Sequence, residues 1–187
     1  GSYLAANPGA RDEFVIATKA AITRDAEGRR RIDNSAAHLE AELDKSLKRL
    51  GTDHVDLFYV HRREAERPIE EVVETLAGLK AKGKILGIGF SEIAPASLRR
   101  AAAVHPVDAV QSEYSLQSRA ADLGLVQACA ELGTALVAFS PVGRSLLTDH
   151  PLTPAAISQV AFMATNPRFQ PGNLEANLTI TDRWVDL

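Results

Sequence analysis

Cysteine, methionine and tryptophan each occur once in 187 residues, as Cys129, Met163 and Trp184. A lone thiol excludes an internal disulfide and a cysteine-built zinc site. Basic residues fall short of acidic ones, 21 Lys and Arg against 24 Asp and Glu, for a net charge of −3. That balance excludes a chain built to neutralise nucleic-acid phosphates over a broad face. Long hydrophobic runs are missing too: the longest, at 85–90 and 135–139, fall far below the roughly 18 residues of a membrane helix. No charged leader with an apolar core opens the chain, so no secretory signal is expected and the reading is cytoplasmic. Tyrosine is scarce, with only Tyr3, Tyr59 and Tyr114.

What is present is the composition of a soluble globular protein, 45% hydrophobic and 24% charged, with length for one domain. The chain begins Gly1-Ser2 without a methionine, and 182–187 stop inside a helical pattern without a cap. Both ends therefore read as cuts, and 1–187 as a single domain truncated at both ends.

Short apolar runs at 14–18, 55–60, 85–90, 109–113 and 135–140 read as parallel strands covered on both faces. Between them the pattern is helical. Leu39, Leu43, Leu47 and Leu50 form one face, capped by Asp33, Asn34 or Ser35; Ile69, Val72, Val73, Leu76 and Leu79 form another, with Pro68 in its first turn. Gly51, Gly83 and Gly133 close three helices as left-handed caps, each followed shortly by a strand. Five such units at a spacing of roughly 30 residues fit either a flavodoxin-like open sheet or part of a (β/α)8 barrel. Polar residues close every strand (Lys19, His61, Ser91, Gln111 and Ser140), and only a barrel brings every strand end to one mouth. The barrel is the expected α/β fold.

Alternation along 55–61 puts Leu57, Tyr59 and His61 on one face, with His61 at the mouth and Tyr59 a layer deeper. A lone lysine or histidine at a strand end is usually solvated or packed. The pair raises the odds of chemistry, because a cation lowers the pKa of a neighbouring acid while an imidazole polarises a carbonyl.

Five segments then carry a specific likeness: Phe14-Val15-Ile16-Ala17-Thr18-Lys19, 43–61 ending in Tyr59-Val60-His61, 83–92 ending in Gly89-Phe90-Ser91-Glu92, 110–116 with Gln111, and 138–144 ending in Pro141-Val142-Gly143-Arg144. In order and spacing the chain resembles the aldo-keto reductase family, and 167–178 resemble its long-loop members. The resemblance implies a (β/α)8 barrel that reduces an aldehyde or ketone with NADPH. It implies that a tyrosine protonates the oxygen with help from a lysine–aspartate pair, while a histidine orients the carbonyl. By motif, Lys19 matches the lysine and His61 the histidine. Ser91 and Gln111 match contacts to the nicotinamide amide, and Phe139 the aromatic stacked on its ring. Ser140, Pro141, Val142, Gly143 and Arg144 match the loop along the pyrophosphate. Glu92 stands where many members have Asn.

None of the three tyrosines matches the family's proton donor. The donor, its aspartate and the 2′-phosphate contacts are therefore expected outside 1–187, and the isolated 1–187 is expected to be inactive. The alternative is a non-catalytic NADPH-binding regulatory protein on the same barrel, like the family's channel β subunits. A barrel aldolase with Lys19 as Schiff-base lysine ranks third. A small carbonyl compound is the expected partner, with no nucleic acid, membrane or metal.

Other features read as structural. Arg24 and Arg29-Arg30-Arg31 suit a solvated loop, and Arg62-Arg63 beside Glu64 and Glu66 suit surface pairing, with Arg62 near enough the mouth to touch substrate. His38, His54, His105 and His150 lack ligand spacing. Gly87-Ile88-Gly89 lies inside a strand, so it is no dinucleotide fingerprint. Cys129 reads as a small core residue.

Overall fold

The computed structural model describes residues 1–182, so the chain end at 183–187 and its missing cap lie outside the described residues. Two compact units divide the chain: 1–112 together with 121–137, and 113–120 together with the segment from 138 onward.

The first unit begins with two short helices, α1 (Ser2–Ala6) and α2 (Ala10–Glu13), before strand β1 (Ala17–Ala20). A hairpin follows, β2 (Ile22–Arg24) and β3 (Arg30–Ile32), then α3 (Ala36–Leu50), β4 (Val55–Val60), α4 (Ile69–Ala81), β5 (Ile85–Ser91), α5 (Pro95–Val104), β6 (Ala109–Glu113), α6 (Leu125–Leu132) and β7 (Ala135–Phe139). The sheet order is β1-β4-β5-β6-β7, and the β1–β4, β4–β5 and β5–β6 pairs are all parallel. Neighbours in space follow chain order with no reversal, which is the order of a barrel segment; a doubly wound sheet reverses at its switch point.

Local chemistry explains the helices. Ser35 caps α3 by accepting the His38 N–H at 3.3 Å. Gly51, Gly83 and Gly133 all adopt the left-handed conformation, with φ of 72°, 72° and 66°. The face of α4 is buried as its spacing dictates, through Ile69, Val72, Val73, Leu76 and Leu79, and each such side chain contributes about 1.5–3 kcal/mol. Phe58, Ile85, Ile88 and Phe90 fill the sheet side of the core, and Cys129 is buried with it. Two aspartates fasten the strand entries: Asp56 accepts the Ile16 N–H and Asp108 the Ile88 N–H, both at 2.7 Å.

Three expectations need correction. The first strand begins at Ala17 rather than at residue 14: its ladder with β4 opens at Ala17 opposite Leu57, the Ile16 N–H is taken by the Asp56 carboxylate instead of a strand carbonyl, and Val15 is 78% exposed. Residues 22–32 form an antiparallel hairpin rather than a loop, turned by Gly28 at φ 79° and tied by Asp25, which accepts the N–H groups of Glu27 and Arg29. Its side chains are largely exposed, which hid the strand period among arginines. Finally, β7 is an edge strand with much of its length exposed, although its composition suits a strand covered on both faces.

The second unit is built of short helices. Helices α7 (Pro154–Ser158), α8 (Ala161–Ala164) and α9 (Asn173–Asp182) gather a small core of Leu146, Ile157, Met163, Phe169 and Leu174. Among the described residues no helix is long and apolar enough to cross a membrane.

Candidate active site

Sheet register builds the site in two layers. In the lower layer Lys19 lies opposite Tyr59, Tyr59 opposite Gly89, and Gly89 opposite Ala109. Two residues further along their strands come His61, Ser91 and Gln111, on the same face and nearer the carboxyl ends. Ser91 and Gln111 are themselves register partners. His61 extends the β1–β4 ladder by donating its N–H to the Ala20 carbonyl at 2.9 Å.

Lys19 climbs from the lower layer to the upper: its Nζ donates to Gln111 Oε1 and lies 5.6 Å from the centre of the Tyr59 ring. Burial, and then the Arg62 guanidinium, hold the ammonium below its ordinary value of 10.5. Among the described residues no carboxylate pairs with it. His61 is also pushed down from 6.5, by burial first and then by Arg62, Lys19 and Arg30. It is therefore neutral at pH 7, with one ring nitrogen to donate and one to accept. Burial raises the Tyr59 hydroxyl, so that group keeps its proton.

Ser91 is buried, and its Oγ accepts from Arg62 Nη1 at 3.2 Å. The same guanidinium nitrogen donates to the His61 carbonyl at 2.6 Å. Glu92 comes next, with a left-handed φ of 55°, and accepts from Ser112 Oγ at 3.2 Å. The predicted quartet of Lys19, His61, Ser91 and Gln111 is thus brought together, with Arg62 tied into it. The Gly87-Ile88-Gly89 pattern makes room: a Cβ on Gly87 would meet Leu57 at 2.7 Å, and one on Gly89 the Tyr59 ring at 2.4 Å. Glycine inside an apolar strand was the signal for that close approach.

The other predicted residues belong to the second unit. Phe139 closes β7 and its carbonyl accepts the Tyr114 N–H at 3.3 Å. The turn after it, from Ser140 through Pro141, Val142, Gly143 and Arg144 to Ser145, contains four left-handed residues: Ser140 (φ 52°), Gly143 (58°), Arg144 (57°) and Ser145 (80°). Arg144 is held by Glu113, at 3.3 Å between Nη2 and Oε2, and lies over the Phe162 ring at 5.6 Å. Arg168 meets the same carboxylate at 2.5 Å and donates to Ser118 Oγ at 3.0 Å. Burial alone would raise the Glu113 carboxyl, but Arg168, Arg144 and Ser118 bring it below its ordinary value. Sequence reasoning missed Glu113, since nothing local marks a carboxylate whose partners lie 31 and 55 residues away.

Comparisons with known proteins point to one family. The aldo/keto reductase family model matches residues 1–187. The chain is 39% identical over 179 residues to aldo-keto reductase yakc, designated NADP(+), of Schizosaccharomyces pombe, covering 94% of this chain and 53% of that protein. It is 37% identical over 173 residues to probable aldo-keto reductase 1 of Glycine max, covering 92% and 50%. Among solved structures, a glycerol dehydrogenase from Gluconobacter oxydans superposes with a TM-score of 0.81 at 24% identity, over 98% of this chain and 56% of that one. An aldo-keto reductase from Bacillus halodurans, in its holo form, superposes at 0.69 with 30% identity, over 78% and 49%. The chain spans about half the length of the relatives it matches. Its sheet and helices are a portion of the (β/α)8 barrel.

Proposed function

This chain belongs to the aldo/keto reductase family, and on that premise we propose that it serves an NADP(H)-dependent oxidoreductase reducing an aldehyde or ketone to an alcohol. The observation that carries the reading is the convergence of Lys19, His61, Ser91 and Gln111 on adjacent parallel strands.

The donor set supports the cofactor. Ser91 and Gln111, side by side at the strand ends, offer the donors and acceptors that a nicotinamide carboxamide needs. Phe139 supplies a flat ring for stacking. The run of left-handed residues from Ser140 to Ser145 is a backbone form suited to holding an oxyanion, which supports Ser140, Pro141, Val142, Gly143 and Arg144 as the pyrophosphate turn. Bound NADPH would supply a hydride to the carbonyl carbon.

The chain's own residues handle the oxygen. Neutral His61 donates a ring N–H to the carbonyl oxygen, orienting and polarising it. Lys19 places positive charge where alkoxide character develops and favours loss of a proton from a neighbouring acid. Tyr59 does not suit that acid: burial holds its proton, and Lys19 lies over the face of its ring.

The complete gene product mixed with NADPH and a panel of aldehydes that includes benzaldehyde is expected to lose nicotinamide absorbance at about 340 nm. Lys19→Met and His61→Ala should each lower kcat on the order of 10²–10⁴-fold. Failure to oxidise NADPH with any carbonyl on the panel refutes the proposal; tight NADPH binding without turnover would point to the regulatory alternative.

A further inference from the structure

The β2–β3 hairpin and the turn after β4 line an open cleft of about 550 Å³ that the reaction just proposed does not use. Its charged lining consists of Arg30, Arg31, Arg62 and Arg63 with Glu64 and Glu66. Glu64 is already engaged, accepting the Asn34 N–H at 2.9 Å and Arg67 Nε at 3.0 Å. Among the described residues none of the four lining arginines forms an ion pair with a carboxylate. Arg63 Nε is buried without a hydrogen-bond partner. An N–H left in that condition is costly, and the planar fork of a guanidinium matches a carboxylate or phosphate.

Arg62 joins this cleft to the reacting groups. It follows His61 directly in the chain and donates to Ser91 Oγ, so one side chain belongs to both the cleft and the strand-end site. The charges of Arg62 and Arg30 also reach the His61 imidazole, where both disfavour its protonation.

We propose that this cleft seats an anionic substituent, a carboxylate or a phosphate, on the carbonyl substrate whose reacting oxygen is held at His61. The inference rests on the reductase reading above and adds the substrate class. Four guanidiniums line the cleft against two carboxylates, one of them satisfied, and although Asp25 feels the charge of Arg31 and Glu70 that of Arg63, the lining itself keeps an excess of positive charge. A neutral substrate gains nothing from those charges, whereas an anionic one is both bound and oriented by them.

The test compares matched pairs on the complete gene product at saturating NADPH: 4-carboxybenzaldehyde against benzaldehyde, and glyceraldehyde 3-phosphate against glyceraldehyde. The anionic member of at least one pair should be preferred by about tenfold or more in kcat/KM, with the pair showing which anion is read. Arg30→Ala combined with Arg31→Ala should collapse that ratio through KM for the anion. Arg63→Gln should do the same, and the exposed hairpin variant keeps the test decisive if the buried substitution impairs folding. Arg29→Ala, which removes a neighbouring arginine paired to Asp25 and Glu27, should leave the ratio unchanged. Turnover of benzaldehyde and glyceraldehyde with no anion preference, or a preference indifferent to these arginines, overturns the proposal and leaves the reductase reading intact. Weakened NADPH binding in the variants with an unchanged ratio also overturns it, by giving the cleft to the cofactor. No turnover of any member refutes the reductase reading, and this proposal with it.

Discussion

The ring of Tyr59 occupies the space a side chain on Gly89 would need: an ideal Cβ there lies 2.4 Å from Tyr59 Cδ1 and 2.5 Å from Cε1. The two are register partners on β4 and β5, and Lys19, opposite Tyr59 on β1, holds its ammonium over the same ring. Gly89→Ala must therefore displace a buried ring or a central strand. The expected cost is about 1–3 kcal/mol in urea unfolding, with kcat lowered because the seat of Lys19 moves. A variant as stable and active as the parent would disprove this packing relationship.

His61 gives stability a pH dependence of known sign. Its folded pKa lies below 6.5, so the unfolded chain binds the proton more readily. Its contribution is fully present above about pH 6.5 and is lost as pH falls through the folded pKa. His61→Gln removes that decline. Urea midpoints measured from pH 7.5 down to pH 5 should fall less steeply for the variant than for the parent, and parallel curves would contradict the environment described for the imidazole.

Glu113 joins Arg144 and Arg168 at one carboxylate. Glu113→Gln leaves two partly buried guanidiniums without their counter-charge and should cost about 1–3 kcal/mol. The carboxyl titrates below its ordinary 4.5, so its stabilisation is present above that value and fades as pH falls through the folded pKa. The difference in thermal midpoint between parent and variant should accordingly shrink on acidification; a gap that widens in acid would reverse the assignment.

Residues 1–187 expressed alone are expected neither to reduce carbonyls nor to bind NADPH tightly. None of the three tyrosines matches the family's proton-donor segment, and loss of a general acid costs on the order of 10²–10⁴ in rate. The described sheet also leaves β1 and β7 as unpaired edges, which favour association. Fluorescence titration with NADPH, size-exclusion chromatography and an aldehyde assay check this together. A cooperatively folding monomer that turns over aldehyde would require Tyr59 or Tyr114 to deliver the proton.

Much of this architecture is written locally. The apolar spacing of 69–79, the Ser35 cap and the glycines at 51, 83 and 133 specify helix, stop and strand in sequence, because propensity, capping and left-handed backbone each depend on a few neighbouring residues. The strand-end residues were legible for the same reason. Alternation along 55–61 already places Tyr59 beneath His61, and Lys19, Ser91 and Gln111 each lie at or near the end of a largely apolar run.

Tertiary structure decided whatever depends on distant partners. The ladder of the first strand opens at Ala17 opposite Leu57, and the Ile16 N–H turns to the Asp56 carboxylate, although Phe14, Val15 and Ile16 are more apolar than residues 17–20. Gly87 and Gly89 are legible as glycines in a strand, but that they yield space to Leu57 and Tyr59 is known only once β4 lies beside β5. Arg62 reaches Ser91 across 29 residues, and Arg144 is bound to Glu113 across 31. The arginines at 30–31 and 62–63 are ordinary surface charge in the sequence, and become one cleft when the hairpin folds beside the turn after β4. Periodicity and capping act over one helical turn or one strand and can be read from the chain. Register, charge pairing and enclosure arise between segments dozens of residues apart, where only packing selects the partner.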